Sequence, residues 1–329
     1  MSKLKIVFIT DGNHKIGMGH VYRSLNLAKT LQKRNHNIVF MTKANFSKKI
    51  ISKTNTCKLY KKIKNTSVIN FLKTFSPDIF IIDKLNETKS SLKTLQKFCP
   101  VIAIDYTGNN KEMINFGINI LYHKTGVQRN SLSDFNYAIL NEKFHKKKKK
   151  KIGKQIKSVI VLQGGADTYC FTPKIVKALN KLENNFKLII VLGSSFKCWS
   201  KLNSVLRQCD KPVKIYHDTQ DIASLMLKAD LAVTAGGNTL LELAYLGIPS
   251  IVVCAEKFEI ETAKLMEKKN FGINVGFGKA ISTSIIQSNL YNIINNYGLR
   301  KRMNKIGPKL VDGNGAQRIT QIIESKYSC

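Results

Sequence analysis

Short, continuous apolar runs of four to seven residues recur along this chain, and most are followed by a longer segment of helical period. The runs are Leu4–Thr10, Asn37–Thr42, Ile79–Asp83 and Val101–Asp105, with Ile118–Tyr122 as a further candidate. After residue 150 the pattern restarts with Ser158–Leu162, Lys187–Leu192, Val213–Tyr216, Leu231–Thr234 and Ser250–Val253. Runs without polar alternation suit strands buried on both faces, as in a parallel sheet covered by helices. Strands alternating with helices (Val21–Arg34, Leu240–Leu246 and Thr262–Lys269 among them) imply right-handed βαβ units and a doubly wound α/β sheet. The expectation is two domains, residues 1–150 and 151–329, with ligands at the carboxyl ends of the strands, facing a cleft.

Between the two series lies Lys146–Lys151, six lysines in a row after His145. Like charges at that density repel, so the run reads as an exposed linker, with a patch for an anionic surface as the other reading. The chain as a whole carries 54 Lys+Arg against 21 Asp+Glu, a formal net charge of +33. Only seven of the basic residues are Arg, and base readout and planar phosphate clamping lean on Arg. No nucleic-acid partner is therefore expected. Anionic small molecules fit the charge, as does weak contact with an anionic membrane surface. No apolar stretch approaches the roughly 20 residues needed to span a bilayer, and the N-terminus lacks a signal-peptide pattern, so a cytoplasmic protein is expected. Seven scattered cysteines (57, 99, 170, 198, 209, 254 and 329), with no C-x-x-C pair, argue against a zinc site or a disulfide framework and suit a reducing compartment.

Three loops carry groups that do chemistry. The first is Asp11-Gly12-Asn13-His14-Lys15-Ile16-Gly17-Met18-Gly19-His20, then Arg23. Gly17 and Gly19 allow tight turns and close ligand approach, and the helix behind them offers free N–H groups to an anion. His20 at the helix start is either a general base or a capping or merely exposed His. Asp11 is expected to orient the Gly17–His20 loop. The second is Gly236-Gly237-Asn238-Thr239, followed by Glu242. Backbone N–H groups there can cradle a diphosphate, and Glu242 can accept both ribose hydroxyls. The other reading is an N-terminal cap with its reciprocal acid. The third is Gln163-Gly164-Gly165-Ala166-Asp167, a ligand loop or a simple turn. Without D-x-D or H-E-x-x-H, no metal and no cofactor is expected. His14, His36, His123, His145 and His217 lack ligand spacing and read as surface residues.

The stretch Ile16-Gly17-Met18-Gly19-His20-x-x-Arg23-Ser24-Leu25-x-Leu27-Ala28 resembles the G-x-G-H-x-x-R-x-x-x-L-A signature of the PseG/SpsG family. Ile81-Ile82-Asp83, Tyr137-Ala138-Ile139-Leu140 with Glu142 and Phe144, and Gln163–Asp167 resemble further family segments. Leu231–Glu242 with Gly247-Ile248-Pro249-Ser250 resembles the nucleotide-binding stretch shared with MurG-like glycosyltransferases. The resemblance implies a GT-B fold of two Rossmann-like domains, the C-terminal one binding most of the UDP. It implies a UDP-sugar hydrolase of pseudaminic or related nonulosonic acid synthesis, with His20 activating water at the anomeric carbon. Gly17, Gly19, Arg23, Gly164, Gly165, Gly236, Gly237, Asn238, Thr239 and Glu242 would contact the substrate, supported by Asp11 and Asp83. The alternative is a MurG-like transferase. Two departures fall on the sugar side. Asp83 is followed by Lys84-Leu85 where the family has an aromatic residue two positions after the Asp, and Glu256-Lys257-Phe258-Glu259 stands where members carry Asn-Gln.

Overall fold

The computed structural model describes residues 2–12, 17–121, 124–127, 129–219 and 221–328. The readings of Asn13–Ile16, Tyr122, His123 and Cys329 lie outside these. The chain divides into two units, Met1–Asn141 with Gly313–Cys329, and Glu142–Asp312. The division therefore falls at 141/142, not 150/151, and the last 17 residues return to the first unit.

The first unit holds β1 (Lys5–Thr10), β2 (Asn37–Thr42), β3 (Thr56–Leu59), β4 (Ile79–Asp83), β5 (Val101–Ile104), β6 (Phe116–Asn119) and β7 (Ser131–Ser133). All pair in parallel, in the order β3-β2-β1-β4-β5-β6-β7. The second unit holds β8 (Ser158–Leu162), β9 (Lys187–Leu192), β10 (Val213–His217), β11 (Leu231–Thr234), β12 (Ser250–Cys254) and β13 (Ile273–Phe277), ordered β10-β9-β8-β11-β12-β13. These too are parallel. The central strands are the apolar runs of the sequence. Every residue of β4, β5, β8, β11 and β12 is buried, because helices cover both faces.

Each sheet reverses its strand order once, between β1 and β4 in the first unit and between β8 and β11 in the second. At such a point successive helices leave to opposite faces, opening a crevice at the carboxyl ends of the two strands. The register sets Thr10 beside Asp83 in one unit and Leu162 beside Thr234 in the other. The Gly-rich loops of the sequence start from these strand ends.

Three expectations change with the fold. The lysine run does not hang free. Lys147 donates to Ser224 Oγ (2.6 Å), Lys150 pairs with Asp230 (3.0 Å) and donates to the Leu227 carbonyl, and Lys149 lies over the Tyr245 ring. The repulsion is relieved because Lys147, Lys149 and Lys150 find hydroxyl, aromatic, carboxylate and carbonyl partners within the second unit. His36 is buried, not a surface residue. Its Nδ1 accepts from the Leu4 N–H (3.1 Å), so Nε2 carries the proton and faces Glu324 Oε1 at 3.1 Å, on the C-terminal helix Gly315–Tyr327. Cys170 and Cys198 form a disulfide, since the loops after the neighbouring strands β8 and β9 bring their Cα atoms to 5.7 Å.

Candidate functional site

The helix Gly19–Gln32 buries Val21, Arg23, Ser24, Leu27, Ala28 and Leu31, a stripe of helical period in which one member is a charge. A buried guanidinium must be paired. Arg23 Nε and Nη2 donate to Asp83 at 3.0 and 2.6 Å, and Nη1 donates to Asp105. Ser24 Oγ adds a donor to Asp83 at 3.1 Å. Asp105, the residue after β5, in a left-handed backbone (φ 49°), is held there by the N–H groups of Ile120 and Leu121 at 2.6 and 2.8 Å. That conformation costs a non-glycine residue about 1 kcal/mol or more.

His20 lies one residue into this helix, with Nδ1 2.7 Å from Asp83 Oδ1. It caps nothing. Burial alone would push the Asp83 carboxyl up, but Arg23 and then His20 reverse this and hold it at about 2. Asp83 is thus an acceptor only, Nδ1 of His20 carries the hydrogen, and Nε2 is left as the basic nitrogen. The His20 side chain keeps 19% of its surface exposed while Asp83 has none. The arrangement orients an imidazole for proton transfer, at the crevice between the ends of β1 and β4.

Several readings of this loop are corrected. Arg23 does not face a ligand; its guanidinium is occupied by two carboxylates and acts on His20 through Asp83. Asp11 does not hold the Gly17–His20 loop. Its Oδ1 accepts from Thr42 Oγ1 (2.8 Å) and the Lys43 N–H (2.6 Å), and its Oδ2 meets Lys84 at 2.8 Å. Lys84 also pairs with Glu87 at 2.9 Å, so the residue between Asp83 and the departing position, Leu85, is held by two carboxylates. Gly17 sits at φ +76° with open space where a Cβ would go, as a close ligand approach requires.

In the second unit, Gly237 is the N-cap of the helix Asn238–Leu246 and no side chain caps it. The capping-box reading of Asn238 and Glu242 is therefore absent, and the first-turn N–H groups of Asn238 and Thr239 have no partner within the helix. Glu242 is pushed up to about 8 by desolvation, with no charge beside it to offset the burial. Gly164 (φ +73°) and Gly165 have open space on their α-carbons. Asp167 caps the helix Phe171–Asn180 through the N–H groups of Phe171 (2.7 Å) and Thr172 (2.8 Å), so that residue belongs to the turn.

Gly236 is a second correction. Its N–H donates to Glu259 Oε2 at 3.2 Å, and the same oxygen accepts from Ala255 (2.7 Å) and Glu256 (3.3 Å). A carboxylate thus occupies one donor expected for a diphosphate and ties the loop after β11 to the loop after β12. Sequence reasoning saw Glu259 only as a departure and missed Asp105 and Ser24. The repeated Ile-Asp at the ends of Ile79–Asp83 and Val101–Asp105 was the available signal for Asp105. Among the described residues, no group of three or more His, Cys, Asp or Glu could hold a metal ion, and no helix is long and apolar enough to cross a membrane.

Comparison with known proteins gives these geometries a context. Residues 131–312 match the glycosyltransferase family 28 C-terminal domain. The chain is 31% identical over 278 residues to the uncharacterized protein MJ1062 of Methanocaldococcus jannaschii, covering 78% of this chain and 57% of that protein's length. It is 25% identical over 340 residues to the spore coat polysaccharide biosynthesis protein SpsG of Bacillus subtilis, covering 98% of this chain and 99% of SpsG. Among solved structures, MurG of Acinetobacter baumannii superposes with a TM-score of 0.70 at 12% identity, covering 98% of this chain and 99% of MurG. The fold is that of the GT-B enzymes.

Proposed function

Because the chain belongs to the glycosyltransferase family 28 C-terminal domain family, we propose that it cleaves a UDP-sugar at the anomeric carbon, with water as the acceptor and His20 as the base. The observation that carries this is the 2.7 Å contact between His20 Nδ1 and Asp83, which leaves Nε2 to take a proton. Water attacks the anomeric carbon as Nε2 removes its proton; the C–O bond to the diphosphate breaks and its electron pair leaves with UDP. Asp83 stabilises the imidazolium that forms, and Arg23 with Asp105 keeps Asp83 ionised and in place. A single displacement inverts the configuration. In the second unit the helix Asn238–Leu246 receives the diphosphate at its N-terminus, Thr239 adds a hydroxyl, Gly164 and Gly165 give it close access, and Glu242 accepts the ribose hydroxyls; in the first unit Gly17 and Gly19 leave room for the sugar beside His20. The similarity to SpsG, a spore coat polysaccharide biosynthesis protein, supports a sugar destined for a surface polysaccharide, in this reading an amino or deoxy sugar. In oxygen-18 water, label is expected in the released sugar and not in UDP. Label in UDP would mean attack at phosphorus and would overturn the scheme.

A second reading has specific support. The matching family is named for glycosyl transfer, and the same base can deprotonate an acceptor hydroxyl. Negligible turnover in water that rises on adding a sugar or lipid acceptor would select it. In either case the helix N-terminus neutralises the leaving diphosphate without a divalent ion, so turnover is expected to persist in EDTA. Loss restored by magnesium or manganese would contradict this.

Glu242 gives a pH test. Only its ionised form accepts two ribose donors, so UDP affinity is expected to rise as pH climbs through about 8. Glu242→Gln should flatten that rise. The stability effect has the opposite sign. A carboxyl held above its ordinary 4.5 keeps its proton in the folded state, so stability falls as pH rises from about 4.5 through about 8. Glu242→Gln should remove this loss in melts run across that range. A pH-independent UDP affinity in the parent chain would take Glu242 out of the ribose site.

A further inference from the structure

The nucleotide reading leaves the base of the nucleotide without a partner. In the second unit, β9 pairs with β8 and β10 with β9, so the loops after β9 and β10 open on the same carboxyl-end edge as Gly164–Gly165 and Gly236–Thr239. An aromatic group stands there. Trp199, the chain's single Trp, begins the helix Trp199–Leu206 and keeps 38% of its surface exposed. Phe196, itself buried, lies with its ring centroid 5.2 Å from the indole, and His217, the last residue of β10, lies at 5.4 Å. Both rings stand steeply to the indole, at 88° and 73°, so neither is stacked parallel on it.

The group is fixed to the phosphate side of the same edge. The disulfide joins Cys198, the residue before Trp199, to Cys170 in the loop after β8. The Ser195 N–H donates to the Gly165 carbonyl at 3.2 Å. Strands lie about 4.8 Å apart, and β9 is two strands from β11, which puts the aromatic group roughly 10 Å along the edge from the Gly236–Thr239 loop. A ribose and diphosphate bridge a span of that order. A flat, partly exposed indole suits a flat, uncharged, π-rich partner.

We propose that Trp199, buttressed by Phe196 and His217, is the platform on which the pyrimidine base of the nucleoside diphosphate stacks. The proposal rests on the reading that the second unit binds UDP, and the test separates the two. Trp199 is the only indole, so its emission under selective excitation reports on this position alone. UDP is expected to quench it saturably, whereas inorganic pyrophosphate, which has no base, binds without quenching. Trp199→Leu should weaken UDP binding about tenfold or more while leaving pyrophosphate affinity unchanged, and Trp199→Phe should restore most of the loss. UDP binding seen by calorimetry with unchanged indole emission, and with unchanged affinity in Trp199→Phe and Trp199→Leu, would remove the platform and leave the nucleotide reading standing. Absence of UDP binding to the parent chain would remove both. The titration of the parent chain and of Trp199→Phe keeps the outcome readable if Trp199→Leu does not fold.

Discussion

His20→Ala is expected to lower kcat by about 10²–10⁴-fold, the usual contribution of a positioned general base. UDP affinity should stay near that of the parent chain, because the groups assigned to the nucleotide lie in the other unit. Stability should change little as well. His20 keeps part of its surface exposed, and Asp83 retains Arg23 and Ser24 as donors after the imidazole is gone. Steady-state kinetics with a released-UDP readout, beside calorimetric UDP titration, check all three statements. Near-normal kcat would take His20 out of the mechanism.

Arg23→Met should be the most destabilising change at the site. It removes the one cation shared by two buried carboxylates, and breaking such a pair from one side costs about 3–5 kcal/mol. The effect depends on pH in a defined direction. The folded Asp83 carboxyl sits at about 2, below its ordinary 3.8, so its pairing contributes stability that is fully present above about 4 and is lost as pH falls toward 2. In Arg23→Met the larger of the two influences that offset burial is gone, and the carboxyl moves up. The gap between parent and variant should therefore be widest near neutral pH and shrink on acidification. Denaturant melts of both proteins between acid and neutral pH measure it. An equal gap at every pH would mean that Arg23 acts by packing and not by charge. Turnover should fall too, because an Asp83 that has lost Arg23 and takes up a proton no longer fixes the His20 tautomer.

Most strands that could be read from the sequence are those the sheets bury; Val213–His217, an exposed edge strand, is the exception. Asn37–Thr42, Ile79–Asp83, Ser158–Leu162, Lys187–Leu192 and Leu231–Thr234 have the expected bounds, since burial on both faces demands an unbroken apolar run. The strands missed are all edge strands. Thr56–Leu59, Ser131–Ser133 and Ile273–Phe277 each pair on one side only, so polar residues and Gly276 are tolerated and no continuous apolar run remains. The return of Gly315–Tyr327 to the first unit was hidden for another reason. Its anchors, Glu324 with His36 and Arg318 with the Asn136 carbonyl, join residues 288 and 182 positions apart.

What the sequence determined by itself is local. Short apolar runs specify parallel strands, glycines after them specify loops that admit a ligand, and a His at a helix start is placed at a strand end because the chain leaves it no other course. Tertiary structure decided which charges those loops would keep. Arg23 reads as a ligand contact and Asp11 as the support of the Gly17–His20 loop, yet one is enclosed by Asp83 and Asp105 and the other by Thr42, Lys43 and Lys84. Glu259 turned from a departure in sequence into the acceptor that closes Gly236. A charged side chain buried at a strand end must find its partner, and that partner comes from another strand whose place in the sheet no local pattern specifies.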